Sequence, residues 1–256
     1  MSSAFDSHEL NQNAITLANK NGWLCQTMPA VQGYARPWFQ LPATTENPLR
    51  LYISAGIHGD EPASSYAALK LLDHPNWFAG CEVYLFPLLN PLGMEMGTRE
   101  NAQGIDLNRD YQSPTTDETR GHLAALDQLP RCHIYLHLHE DWESTGAYLY
   151  AVKPLNEPSA TRVLLDAMSE CLPIEHATEI DGFPAANGVI DRPPPLADRE
   201  DWPEVYYLDH LHGSYHGYTL EAPSAFALEK RVGALVHATR TLAQFLQDNR
   251  AKFERR

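Results

Sequence analysis

The chain has 256 residues, 43% of them hydrophobic, enough to bury one large core. Lys and Arg number 19 against 33 for Asp and Glu, a net charge of -14, which argues against a nucleic-acid backbone or an anionic membrane surface as partner. The four cysteines, at 25, 81, 132 and 171, show no CxxC spacing, so neither a cysteine metal site nor a redox pair is expected.

In chain order, Leu10, Ala14, Leu17 and Ala18 have helical spacing and predict a helix over about 7–20, stopping near Gly22. Residues 31–41 read as one or two short strands broken by Gly33 and Pro37. The apolar run LYISAGI, 51–57, is a strand, and the segment 62–73 that follows is a helix with proline in its first turn. CEVYLFPLL, 81–89, is a second apolar strand, and 93–114 is a long loop rich in Gly, Asn and charge. Ordered loops of that length are usually functional. A helix is expected over 116–129, strands over 131–141 and 146–152, and an amphipathic helix over 157–171. The proline-rich stretch 173–204 reads as a surface excursion, 217–223 as a last strand, and the residues from 225 as a long helix.

Strands alternating with helices, several of them apolar on both faces, predict an α/β fold: a mixed, mostly parallel sheet with helices on both sides. Ligands of such sheets bind at the carboxyl ends of the strands. There is no stretch of 18 apolar residues and no apolar core near the N-terminus, so neither a membrane helix nor a signal peptide is expected, and a cytoplasmic protein is.

The polar residues of interest fall at those strand ends. His58 and Glu61, three apart in HGDE after the 51–57 strand, are both good zinc ligands. A catalytic zinc takes three protein ligands and keeps one position open, so a third should come from another strand end. His137 and His139 share a face of the 131–141 strand by alternation. His139, at the end, is the better placed for a metal, and His137, deeper, suits a core or supporting role. Glu221 ends an otherwise apolar strand and could act as a base. Arg99, Asn108 and Arg109 put cationic and hydrogen-bonding groups into the long loop of an acidic chain, where an Arg fork can grip a carboxylate.

The series HGDE, NPLGMEMGTREN, GIDLNRDY, LHLHED and TLEAP, in that order over residues 58–223, resembles the zinc carboxypeptidase family of the carboxypeptidase A type. It is most similar to the small bacterial members, murein tripeptide amidase among them. The resemblance implies one zinc carboxypeptidase-like catalytic domain over 1–256, with one Zn²⁺ on His58, Glu61 and His139. It implies Glu221 as the group that activates water, Arg99 as the group that polarises the scissile carbonyl, and Asn108 with Arg109 as the holders of the substrate's terminal carboxylate. The expected substrate is a peptide or acyl-amino acid with a free carboxylate.

Two departures stand out. The family often has asparagine after the Asn-Arg pair, where this chain has Asp110. The mobile-loop tyrosine of many members has no single counterpart among Tyr206, Tyr207 and Tyr215. His210, His212 and His216 could imitate a second metal site but read better as solvated or substrate-facing residues. An N-acyl amino acid deacylase of the aspartoacylase and succinylglutamate desuccinylase type is the alternative. Those relatives generally continue into a β domain after the final glutamate, and this chain ends after one helix, which favours the peptidase. A zinc-bound interaction protein without catalysis is a third reading, against which the base and both arginines count. The residue preferred beside the cut depends on a pocket floor expected within 203–216.

Overall fold

The structure is a computed structural model that describes residues 5–152, 159–191, 201–212 and 216–253. Helix α1, Ser7–Lys20, starts where the Asp6 carboxylate accepts from the amide of Glu9, and it buries Leu10, Ala14 and Ala18. Strands β1, Leu24–Val31, and β2, Tyr34–Leu41, form an antiparallel hairpin. Gln32 and Gly33 both take positive φ in its two-residue turn, as the twist of a tight hairpin requires. Gly33 is therefore the turn and not an interruption. The strand before it carries no reading in the sequence because most of β1 is exposed and lacks an apolar alternation.

Strand β3, Leu49–Ser54, leads to helix α2, Pro62–Leu72, and strand β4, Cys81–Phe86, to the short helix α3, Pro91–Met96. Helix α3 and a single 3₁₀ turn at Leu107–Arg109 interrupt the long loop. The start and stop of α3 are in the sequence: Asn90 accepts from the amide of Gly93, Pro91 follows it, and Gly97 closes the helix in the left-handed region. Helix α4, Asp117–Leu126, is capped by Thr116. Next come β5, Ile134–Asp141, β6, Tyr148–Val152, and α5, Thr161–Ser169.

The proline-rich excursion is more ordered than its composition suggests. It holds the small hairpin β7, Glu179–Ile180, and β8, Phe183–Pro184, and then β9, Val189–Asp191, which pairs with β6 and extends the main sheet. Helix α6, Glu204–His212, occupies the segment in which the pocket floor was expected. Strand β10, His216–Pro223, α7, Leu228–Asp248, and α8, Arg250–Phe253, follow.

The sheet order is β1-β2-β4-β3-β5-β10-β6-β9. Its centre, β4-β3-β5-β10, is parallel, and β6 runs antiparallel beside β10. Leu51, Ile53, Leu136, Leu138 and Leu220 join the core under α2, α5 and α7. Tyr52, Phe86 and Tyr135 join a second core with residues of α4 and α6 on the opposite face. Burial on both faces is why these strands read as continuous apolar runs. Among the described residues no helix is long and apolar enough to cross a membrane.

Candidate metal centre and substrate cleft

The register of the three central strands fixes the site. Glu221 of β10 stands opposite His139 of β5 on one side and Tyr148 of β6 on the other, so these side chains emerge at one level of one face. Past the end of β3, the loop 55–60 brings His58 to the same place. It can approach closely because residue 59 is glycine: a Cβ there would run into the backbone of Gly93 and Met94.

Glu61 occupies the N-cap position of α2, yet its carboxylate caps nothing. One oxygen lies 2.6 Å from His58 Nδ1 and the other 2.9 Å from His139 Nδ1. The helix amide of Ala63 donates instead to Glu140 Oε1 at 2.5 Å, and the amide of Glu140 donates to Glu61 Oε2 at 3.1 Å. Glu140 is held in turn by Arg231 of α7, so this buried acid is a brace and not a ligand. His58, Glu61 and His139, all buried, offer ligand atoms within 4.8 Å of one another, and among the described residues they form the single such cluster.

The electrostatics suit a cation. Burial opposes the charge on Glu61, but the two imidazoles outweigh it and hold this carboxyl well below its ordinary range. Glu221 moves the other way: burial, then the charges of Glu61 and Asp141, push its carboxyl well above the ordinary value. One buried carboxylate between two imidazoles is a donor set that suits a divalent ion, whose charge would offset the penalty on Glu221.

Arg99 Nε donates to Asp106 Oδ2 at 3.0 Å, and its guanidinium lies 3.6 Å from Glu61. Asp106 Oδ1 lies 3.2 Å from His58 Nε2 and accepts from the amide of Asn108 at 2.8 Å. Asp106 thus orients a metal-type histidine and an arginine together, a role the sequence reading missed. Its one signal was its place two residues before Asn108. Asn108 Oδ1 accepts from the amide of Glu204 at 2.9 Å, which leaves its –NH₂ as the group to offer a ligand. Arg109 lies beside it, with Nε 3.7 Å from Asp201.

His58, Glu61, Arg99, Asn108, Arg109, His139 and Glu221 all line one cleft of about 620 Å³. Asp110, the departure from the family pattern, is not among its lining. Its carboxylate accepts from the amides and hydroxyls of Thr115 and Thr116 and ties off the loop. Tyr206 lines the cleft, Tyr207 donates to Asp127, and Tyr215 lies outside the described residues. His210 packs on Trp202, and His216 is buried at the far end of β10, opposite Ile134. The side chain of His212 lies outside the described residues.

A sequence model of the succinylglutamate desuccinylase/aspartoacylase catalytic domain matches residues 47–181, just over half of the chain. A probable carboxypeptidase 2 of Arthroderma benhamiae is 30% identical over 122 residues, 41% of this chain. The match spans 23% of the length of that relative. Among solved structures, a protein of Shewanella amazonensis described as a metallopeptidase superposes with a TM-score of 0.82 at 25% identity, covering 93% of this chain and 92% of that one. The metallo-carboxypeptidase of Burkholderia cenocepacia shares the fold, with a TM-score of 0.71 at 14% identity over 95% and 70% of the two chains.

Proposed function

The chain belongs to the succinylglutamate desuccinylase/aspartoacylase catalytic-domain family, and from that premise we propose that it is a zinc-dependent hydrolase cutting an amide bond beside a free carboxylate, as a metallocarboxypeptidase or peptide amidase. The observation that carries the reading is the meeting, in one cleft, of a His-Glu-His cluster, a buried glutamate and two arginines. His58, Glu61 and His139 would hold the zinc, which when bound polarises a carbonyl and makes water more acidic.

Asn108 and Arg109 hold the terminal carboxylate of the substrate, which sets the scissile amide against the metal cluster. Glu221 takes a proton from the attacking water and delivers it to the leaving nitrogen. Arg99, fixed by Asp106, faces the carbonyl oxygen as charge develops on it. Residues of β5, β6 and α6 form the walls of the cleft around these groups.

The test is a pair of peptides that differ only at the C-terminus, one a free carboxylate and one an amide, offered to zinc-loaded wild type and Glu221→Gln. Wild type should cut the free acid and leave the amide, and the variant should lose about two to four orders of magnitude in rate. Equal cleavage of both peptides rejects the reading. The family match favours a second one, an N-acyl amino acid deacylase. N-acetyl- or N-succinyl-amino acids hydrolysed in preference to peptides would establish it.

A further inference from the structure

One pleat deeper than the metal cluster, strands β3, β5 and β10 carry a second polar row. Ser54, His137 and Thr219 stand side by side across β3, β5 and β10. His137 and Thr219 line the cleft together with Val205 and Tyr206 of α6. The hydrolytic roles assigned above use none of them.

The hydrogens of this row follow from counting donors. Glu204, on the first turn of α6, is fully buried, and its partners hold it as a carboxylate, which only accepts. The Tyr52 hydroxyl donates to one of its oxygens, and Ser54 Oγ donates to the other at 2.8 Å. Ser54 has a single hydroxyl hydrogen, so it must accept from His137 Nδ1, 3.0 Å away. The same nitrogen lies 3.1 Å from Glu204. Nδ1 therefore carries the proton, and the ring is locked with Nε2 as its remaining polar atom. That atom is buried and has no hydrogen-bond partner, in a residue only 2% exposed. Buried polar atoms are nearly always paired, and the cleft that His137 lines is where this one can find its partner.

We infer that His137 Nε2 is the floor contact for the side chain of the residue whose carboxylate Asn108 and Arg109 hold, and that it selects a side chain with a hydrogen-bonding end, above all a carboxamide, which can donate or accept. The inference rests on the hydrolase reading above. An aliphatic side chain of equal length would seal Nε2 in without a partner, and sites built to hydrogen-bond a substrate reject analogues that cannot reciprocate.

The test uses two N-benzoylglycyl peptides ending in Gln or Met, which are alike in reach and differ in the terminal group. Zinc-loaded wild type should prefer Gln by about tenfold or more in kcat/KM, with most of the difference in KM. His137→Asn keeps an N–H for Ser54 and Glu204 but has no atom at the Nε2 position, and the preference should shrink to within about threefold. A parallel titration of wild type with free glutamine and free methionine, followed by tryptophan fluorescence, reads binding without catalysis and does not depend on the variant folding. A wild-type preference for Met overturns the inference and leaves the hydrolase standing, as does an unchanged ratio in folded, metal-loaded His137→Asn. Failure to cut either peptide overturns the hydrolase reading and the inference with it.

Discussion

Arg99 and Arg109 both reach the cleft and are about equally exposed, but their surroundings differ in a way that separates their roles. Arg109 is bonded to the carbonyl of its neighbour Asn108 and lies near Asp201 at the rim, where a carboxylate carries the same charge before and during reaction. Arg109→Ala should therefore raise KM, by about 2–3 kcal/mol, with little change in kcat. Arg99 is anchored by Asp106 beside Glu61, next to the place where charge forms only as the bond breaks. Arg99→Ala should lower kcat by about a hundredfold or more, with a smaller effect on KM. Steady-state kinetics on both variants, with zinc content measured because Asp106 also touches His58, decides the matter. Identical or exchanged profiles reject the assignment.

At the scale of elements, α6 is docked by one buried carboxylate. Glu204 accepts from Tyr52 and Ser54 of β3 and from His137 of β5, and Tyr52 also accepts from His122 of α4, whose other ring nitrogen accepts from Tyr111 at 2.6 Å. Burial opposes the charge on Glu204, but His137, His122 and the hydrogen bonds prevail and hold it down to about 2 from 4.5. At His122 burial comes first and, with the charge of Arg36 beside it, outweighs the pull of Glu204 and lowers the ring to about 4 from 6.5. Both groups have folded values below their unfolded ones, so as pH falls the unfolded chain takes up protons first. Stability should thus decline from pH 6.5 towards 4 through His122, and from 4.5 towards 2 through Glu204. Glu204→Gln should be less stable by about 2–4 kcal/mol at neutral pH and show a flatter decline over the lower window, as read by denaturant melts at several pH values. A variant as stable and as acid-sensitive as wild type would exclude this docking role.

For the whole molecule, the metal cluster joins the loop after β3 to the end of β5, residues far apart in the chain. The cluster is complete only in the folded state, so zinc binding should stabilise the fold by mass action, by about 4 kcal/mol at a thousandfold excess over Kd. One equivalent should bind wild type and His137→Ala, and none should bind His58→Ala or His139→Ala, as read by metal analysis and by the thermal midpoint with and without chelator. Metal retained by His139→Ala and lost from His137→Ala would move the third ligand one pleat deeper.

The sequence by itself determined whatever is local or repeats with a short period. The two-faced apolar runs 51–57, 81–89 and 131–141 announced buried parallel strands, because alternate side chains must go to opposite cores and both are apolar here. HGDE put His58 and Glu61 within reach of one another because only two residues separate them in the loop that leads into α2. The position of His139 at a strand end, rather than its identity as histidine, marked it out from His137. The tertiary structure decided what depends on sheet order. Nothing near Glu204 in the sequence reveals that it lies against His137, because the pairing needs β3 and β5 adjacent and α6 laid across them. Asp106 is one acid among 33 acidic residues until His58 and Arg99 are brought to it from either side. Contacts that close long loops are set by the packing of whole elements, and one-dimensional periodicity carries no record of which element ends up beside which.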